Sequence, residues 1–470
     1  MKIIKIITVA ILFFCNDAIC QKTEKLDSLF VSLYQQKNFN GNVLIAEKGK
    51  IIYKNSFGFA NEKTKQKLNE NSIFELASVS KQFTAMAIVI LQEKGKIKFD
   101  DKINTFFPEL SNYKNVSIRN LLNHTGGLPD YMNLLDSLLI DKKNWKQKTN
   151  IATNKSIIEI FAKHNPKVLF EPNEKWEYSN TGYAILASII EKVSGKSYSE
   201  FLKTEIFKPL KMTNTFVYTR RLKPQNIKNF AFGYVYSDSL KTNQLPDQTK
   251  GLEYVYTLDG IVGDGAVNST TVDLLKWDRA LYENKLISEK SKIEILTPTI
   301  LNDKSVTEYG FGWFIKKNGV YGNLINHSGS WPGYKTFIER EIENDKTIIS
   351  LQNNDNENIY LPIQKIREIL YNIKPIKFIN LENTEIEKFA GNYQTEKNEI
   401  KKLTLEDGKL LLEFSPSDKM ELKPITKTKF MLIGFDPPVF YDFVIENGVV
   451  KKYVMNQPEL SNKKEAIKIE

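Results

Sequence analysis

A few short combinations of residues in this chain could do chemistry. Ser78-Val-Ser-Lys81 opens a helical pattern that runs through Phe83, Met86, Ala87, Ile90 and Leu91 and stops at Gly95. A spacing of three puts the hydroxyl and the amine on one helix face, close enough to share a hydrogen bond. A serine hydroxyl is a weak nucleophile near neutral pH and needs a base, and a lysine serves when burial and neighbouring charge lower its pKa. The free N–H groups of a helix start would favour the oxyanion formed on attack. The spacing alone carries little weight. It recurs at Ser111/Lys114 and Ser461/Lys464, in a chain where all but six of the 66 Lys and Arg residues are lysine.

Tyr-x-Asn is weaker still, since it begins at Tyr53, Tyr113, Tyr131, Tyr178, Tyr282 and Tyr321. Only Tyr178-Ser-Asn180 sits where a loop meets an apolar helix, in LFEPNEKWEYSNTGYAILASIIEKVSG. His-x-Gly occurs at His124-Thr-Gly126 and at His327-Ser-Gly329. The first lies in a Gly-Gly-Leu-Pro turn and reads as structural. The second ends a predicted strand, so the backbone of Gly329 and Ser330 can form an edge for an extended substrate.

Alternating segments must position these groups. Asn42 to Gly58 reads as a hairpin turning at Lys48 to Lys50, and Tyr309 to Asn353 returns to alternation in four runs that begin YGFGWFIKK. Residues 96 to 260 between them are helical segments and loops. Antiparallel hairpins framing a helical insertion predict an α+β fold: an antiparallel sheet flanked by helices, with a helical lobe and a cleft between the two. A helix over Ile359 to Tyr371 followed by Pro375 places a domain boundary near 375. Beyond it, short strands at 402–405, 409–414, 429–433 and 439–445, with Asp-Gly and Asn-Gly turns, predict an all-β domain over 376–470.

Residues 1–20 read as a secretory signal peptide, with Lys2 and Lys5 ahead of an apolar run from Ile6 to Cys15 too short to span a bilayer. Ala18 and Cys20 suit cleavage before Gln21. Lipidation of Cys20 is the lesser alternative, because Ile19 fits a lipobox poorly. The expectation is an exported protein, periplasmic or secreted, with a first folded domain over 21–375. Both cysteines, Cys15 and Cys20, lie in the leader, which leaves no thiol nucleophile, disulfide or cysteine metal site after cleavage. The net charge of +10 is scattered lysine without a cluster of the kind nucleic-acid binders carry, and no later apolar run is long enough to cross a membrane.

Taken together, FELASVSKQFTA, IRNLLNHTGGLPDY, EPNEKWEYSNTGYAIL, Gly263-Asp-Gly265 before STTVDLLKW, YGFGW and NHSGSWPGY resemble, in order, the penicillin-recognising serine hydrolases. The closest resemblance is to the branch that holds class C β-lactamases, esterases, D-aminopeptidases and DD-peptidases. The resemblance implies that Ser78 is acylated, Lys81 takes or relays its proton, and Tyr178 acts as general base and acid. It implies that Asn180 holds the substrate amide, and that the N–H groups of Ser78 and Ser330 form an oxyanion hole. No metal or other cofactor is required. His327 stands where β-lactamases carry lysine in Lys-Thr-Gly, which points away from carboxylate-bearing β-lactams and towards an ester, amide or D-amino-acid peptide. A non-hydrolytic penicillin-binding-like sensor or envelope-binding protein is the alternative. The β-rich C-terminal domain resembles the lipocalin-like appendages of some family members.

Overall fold

The computed structural model describes residues 21–134, 151–355, 361–374, 376–415, 418–435, 438–458 and 462–469. The expected leader and Pro375 lie outside the described residues. Contacts divide the chain into one unit of residues up to 316 with 324–361, and a second of 317–323 with 362–470. The helix Ile363–Leu370 groups with the second unit, where the Arg367 guanidinium lies 5.3 Å from the centre of the Tyr321 ring. The contact division thus falls ahead of the helix, whereas the sequence reading put it behind.

The first unit is built on strands β1 (Gly41–Glu47), β2 (Lys50–Phe57), β3 (Phe314–Asn318), β4 (Gly322–Trp331), β5 (Tyr334–Glu341) and β6 (Lys346–Gln352), in the order β3-β4-β5-β6-β1-β2. Antiparallel pairing from Gly41↔Gln352 to Glu47↔Lys346 closes the two sequence-distant hairpins into one sheet. The β1–β2 turn falls where expected, with Lys48 at φ 51° and Gly49 at φ 72°, the left-handed pair that suits a two-residue hairpin.

The central helix is α1 (Lys81–Glu93), in which every residue from Lys81 to Leu91 is buried. A helix apolar nearly all round must be wrapped by other elements: α2 (Asn154–His164) packs on α3 (Asn180–Ser194), α3 packs on α1, and α4 (Thr271–Ala280) meets α1 where Trp277 lies on Phe83. They share a continuous core in which Phe83, Phe207 and Trp277 meet edge to face or tilted. His164, exposed at the end of α2, is followed by Asn165 at φ 45°, a left-handed cap.

The run Tyr309–Trp313 is not strand, although its alternation predicts one. Gly312, at φ 77°, turns the chain against the first residues of α1, and a Cβ there would meet Lys81 O at 2.9 Å. The strand begins only at Phe314.

The second unit closes an eight-stranded antiparallel barrel: β7 (Gly391–Thr395), β8 (Ile400–Glu406), β9 (Lys409–Ser415), β10 (Asp418–Pro424), β11 (Lys429–Leu432), β12 (Val439–Glu446), β13 (Val449–Gln457) and β14 (Asn462–Ile469). The β7–β14 pairing, Asn392↔Ile469 to Thr395↔Ala466, removes the free edges. Asp407-Gly408 and Asn447-Gly448 make the expected turns with positive φ. Aromatic side chains fill the inside, Phe389, Tyr393, Phe430 and Phe443 among them. Four strands escaped the sequence reading. β14 (NKKEAIKI), for example, buries Ala466 alone and so reads as polar.

One buried ion pair ties α4 to the sheet. Asp278 accepts from Arg340 Nε on β5 at 2.6 Å and from Thr347 Oγ1 on β6 at 2.9 Å. Removing one partner leaves a buried charge alone, which costs about 3–5 kcal/mol. Asp278→Ala is expected to lose stability of that size in denaturant unfolding, and an unshifted first-unit transition would refute this role.

Candidate active site

Ser78 stands on a short 3₁₀ turn, Ala77–Ser80, that feeds directly into α1. Residues i and i+3 eclipse in such a turn, so Ser78 and Lys81 align more closely than on the α-helix the sequence suggested. Ala77 is held at φ 48°, an unfavourable conformation for a residue with a Cβ and a sign of strain beside the hydroxyl.

Lys81 is fully buried, and its ammonium donates to three oxygens from three segments: Ser78 Oγ at 3.1 Å, Asn180 Oδ1 at 2.9 Å and the Asp264 carbonyl at 2.9 Å. It also lies 4.9 Å from the centre of the Tyr178 ring and 5.6 Å from that of Tyr183. No carboxylate pairs with it among the described residues. Neutral acceptors and ring faces replace the counter-ion.

Asn180 is the first residue of α3. Ser179 caps that helix instead of Asn180, its hydroxyl accepting from Gly182 N–H, which frees the Asn180 side chain for Lys81. The Asn180 N–H donates to Asp130 Oδ2 at 2.6 Å, fixing the helix start. Burial raises the Asp130 carboxyl above its ordinary range. Asp264 is held in turn by Tyr131, whose hydroxyl donates to its carboxylate at 2.7 Å.

Tyr178 packs between two imidazoles, 4.4 Å from His124 and 6.2 Å from His327 between ring centres. Its hydroxyl is buried without a hydrogen-bond partner among the described residues. The structural reading of His124 is therefore sharpened: its Nδ1 accepts from Ser179 N–H at 3.1 Å, so it braces both the tyrosine and the start of α3.

His327 is 1% exposed and borders the cavity, yet protein groups occupy both its ring nitrogens. Nδ1 lies 2.6 Å from Ser328 O, which can only accept, so Nδ1 carries the proton; Nε2 then accepts from Tyr309 Oη at 3.0 Å. Burial first, and the Lys81 cation second, push its pKa down to about 3. His124 is lowered for the same two reasons and by His327 itself. Both rings are neutral bodies beside a cation.

β4 reaches the nucleophile through Gly329. A Cβ there would strike Leu76 O and Thr336 Oγ1, each at 2.2 Å. With glycine, Thr336 Oγ1 can donate to Leu76 O at 2.6 Å, locking the sheet to the turn that carries Ser78. A cavity of about 370 Å³ then brings together Ser78, Tyr178, Asn180, His327 and Ser330. Lys81 lies behind its wall. Sequence reasoning missed Glu75, Asp130 and Asp264 near this cavity. All three stood inside quoted motifs, but nothing in their spacing marked them.

A serine turn leading into a buried helix, faced across a cleft by strand β4 of an antiparallel sheet, defines a penicillin-recognising serine hydrolase. Residues 26–368 match the family model described as Beta-lactamase, so the chain belongs to the β-lactamase family. It is 40% identical over 444 residues to penicillin-binding protein 4* of Bacillus subtilis strain 168, covering 92% of this chain and 96% of that protein. The fold is similar to that of an octameric penicillin-binding protein homologue from Pyrococcus abyssi (TM-score 0.62, 23% identity, 95% of this chain and 99% of that one). It is also similar to the D-amino acid amidase of Ochrobactrum anthropi SV3 in complex with D-phenylalanine (TM-score 0.59, 25% identity, 76% and 99%).

Two outcomes test the site. Gly329→Ala must push β4 off the Ser78 turn, so labelling by a fluorophosphonate should slow at least tenfold; an unchanged rate would contradict the close approach. In the unfolded chain histidine takes up a proton near pH 6.5, whereas folded His327 stays neutral down to about pH 3. Its share of stability is thus complete above pH 6.5 and is lost as pH falls through that window. Thermal melts should drop less between pH 7 and pH 5 for His327→Gln than for wild type, and parallel curves would refute the assignment.

Proposed function

We propose that this serine hydrolase of the β-lactamase family forms an acyl-enzyme through Ser78 and hydrolyses an amide, D-amino-acid peptide or ester. The observation that carries the reading is the Lys81 ammonium bridging Ser78 Oγ, Asn180 Oδ1 and the Asp264 carbonyl. With all three of its N–H positions directed at acceptors, Lys81 orients the serine hydroxyl and stabilises negative charge on it. The proton is then relayed through the Tyr178 hydroxyl, which accepts it as it hands its own to the leaving group; this hydroxyl has no other partner among the described residues, and its ring faces the same cation.

Ser78 Oγ attacks the carbonyl carbon, and the oxyanion is received by the N–H groups of Ser78 and Ser330, worth about 3–4 kcal/mol per donor. Tyr178 passes its proton to the leaving group, which departs as amine or alcohol. In deacylation it takes a proton from water, which attacks the acyl-enzyme ester, and hands its own to Ser78 Oγ as the acid product leaves. Asn180 and the backbone of Gly329 and Ser330 hold the substrate chain. His327, neutral and bonded on both nitrogens, shapes the wall and offers no cation to a substrate carboxylate. This favours esterase or peptidase action over true β-lactamase activity.

The similarity to the D-amino acid amidase supports D-amino-acid amides as a substrate class to examine, alongside D-amino-acid peptides and esters. The basic, apolar and small-residue pattern of residues 1–20 supports export to the periplasm or beyond the cell. A sensor that acylates without turnover is the competing reading.

A fluorophosphonate probe should label wild type and leave Ser78→Ala unlabelled, and equal labelling of both would sink the proposal. In a panel of p-nitrophenyl butyrate, D-alanyl p-nitroanilide and nitrocefin, steady turnover is expected, with nitrocefin the poorest. A burst without a steady state on all three would instead favour the sensor.

A further inference from the structure

Glu75 stands three residues before Ser78, on the two-residue strand Phe74–Glu75 that pairs with Asn268, and it borders the same cavity. Neighbouring carboxylates already have partners. Asp259 accepts from Arg221 Nη1 at 3.0 Å and from the N–H groups of Arg221 and Leu222. Asp247 takes Arg220 and Arg221, and Asp264 takes the Tyr131 hydroxyl. Tyr334, also near Glu75, donates to the Ala231 carbonyl and is kept a neutral phenol chiefly by burial. The Glu75 carboxyl alone in this group has no hydrogen bond or ion pair among the described residues.

We infer that Glu75 selects substrates carrying a cationic amine near the scissile carbonyl, because an ammonium entering the Ser78 cavity meets in Glu75 the one carboxyl of this group that lacks a partner among the described residues. This deepens the hydrolase reading and rests on it. The surroundings prepare the group for the task. Burial most of all, with Asp259 and Asp264 adding to it against Arg221 and Arg220, pushes the carboxyl up to about 7. A neighbouring ammonium draws such a carboxyl into its charged form. A neutral substrate gives no such compensation, and an anionic one is repelled.

The test compares kcat/KM for D-alanyl p-nitroanilide, which carries an α-ammonium, with N-acetyl-D-alanyl p-nitroanilide, which does not; p-nitrophenyl butyrate serves as a neutral reference. Wild type should favour the ammonium substrate at least tenfold. The ratio should rise between pH 6 and pH 7.2, as Glu75 ionises while the α-ammonium stays mostly protonated. In Glu75→Gln the ratio should fall at least tenfold and become flat with pH, the loss falling on the charged substrate rather than on the acetylated one. An equal loss on both substrates, or an unchanged ratio, overturns the inference. Turnover of the butyrate ester without discrimination in wild type overturns the inference alone. No turnover of any of the three overturns the hydrolase reading with it. Fluorophosphonate labelling confirms that Glu75→Gln keeps a folded site; if the variant does not label, the wild-type pH profile decides, and a ratio that does not rise rejects the role.

Discussion

A buried ammonium with no carboxylate paired to it among the described residues sets the terms for the rest of the first unit. Taking the Lys81 charge out of water is costly unless every proton on it finds an acceptor. Here the three acceptors come from the 3₁₀ turn at Ser78, the start of α3 and the loop at Asp264. None of the three segments can move independently without leaving the cation unsatisfied. The same triad that stabilises the charge therefore fixes the positions of nucleophile, substrate-holding amide and cavity floor.

The groups around Lys81 are chosen to tolerate it. His124 and His327 are both buried within reach of its field, and both are held neutral by burial and by that cation. Their rings flank Tyr178, whose face the ammonium also addresses. A positive imidazole at either place would compete with Lys81 for the same acceptors and the same π faces. Tyr309 and Ser328 complete the arrangement by occupying the nitrogens of His327.

Close backbone approach is the second requirement. Gly329 lets β4 come down on the Ser78 turn, and Gly312 lets the chain before β3 press on the start of α1. A polar network placed to a few tenths of an ångström needs its supporting elements in direct contact, and side chains at these two positions would hold them apart. Asp278 does corresponding work at the other end of the sheet, joining α4 to β5 and β6.

The sequence by itself determined the ordered motifs, the paired hairpins at the two ends of the first unit, the central apolar helix and the Asp-Gly and Asn-Gly turns of the barrel. These are local signals: spacing, alternation and residues that favour positive φ. It could not separate Ser78 and Lys81 from the same spacing elsewhere except through their company, because hydrogen-bond partners 99 and 183 residues away leave no mark on local pattern. Tertiary structure decided that YGFGW is a turn packed on α1 and that polar β14 closes the barrel. It also decided that His327 is a committed, neutral wall and that Glu75 faces the cavity without a partner among the described residues. Each of these depends on burial and on neighbours distant in sequence, which only the folded chain brings together.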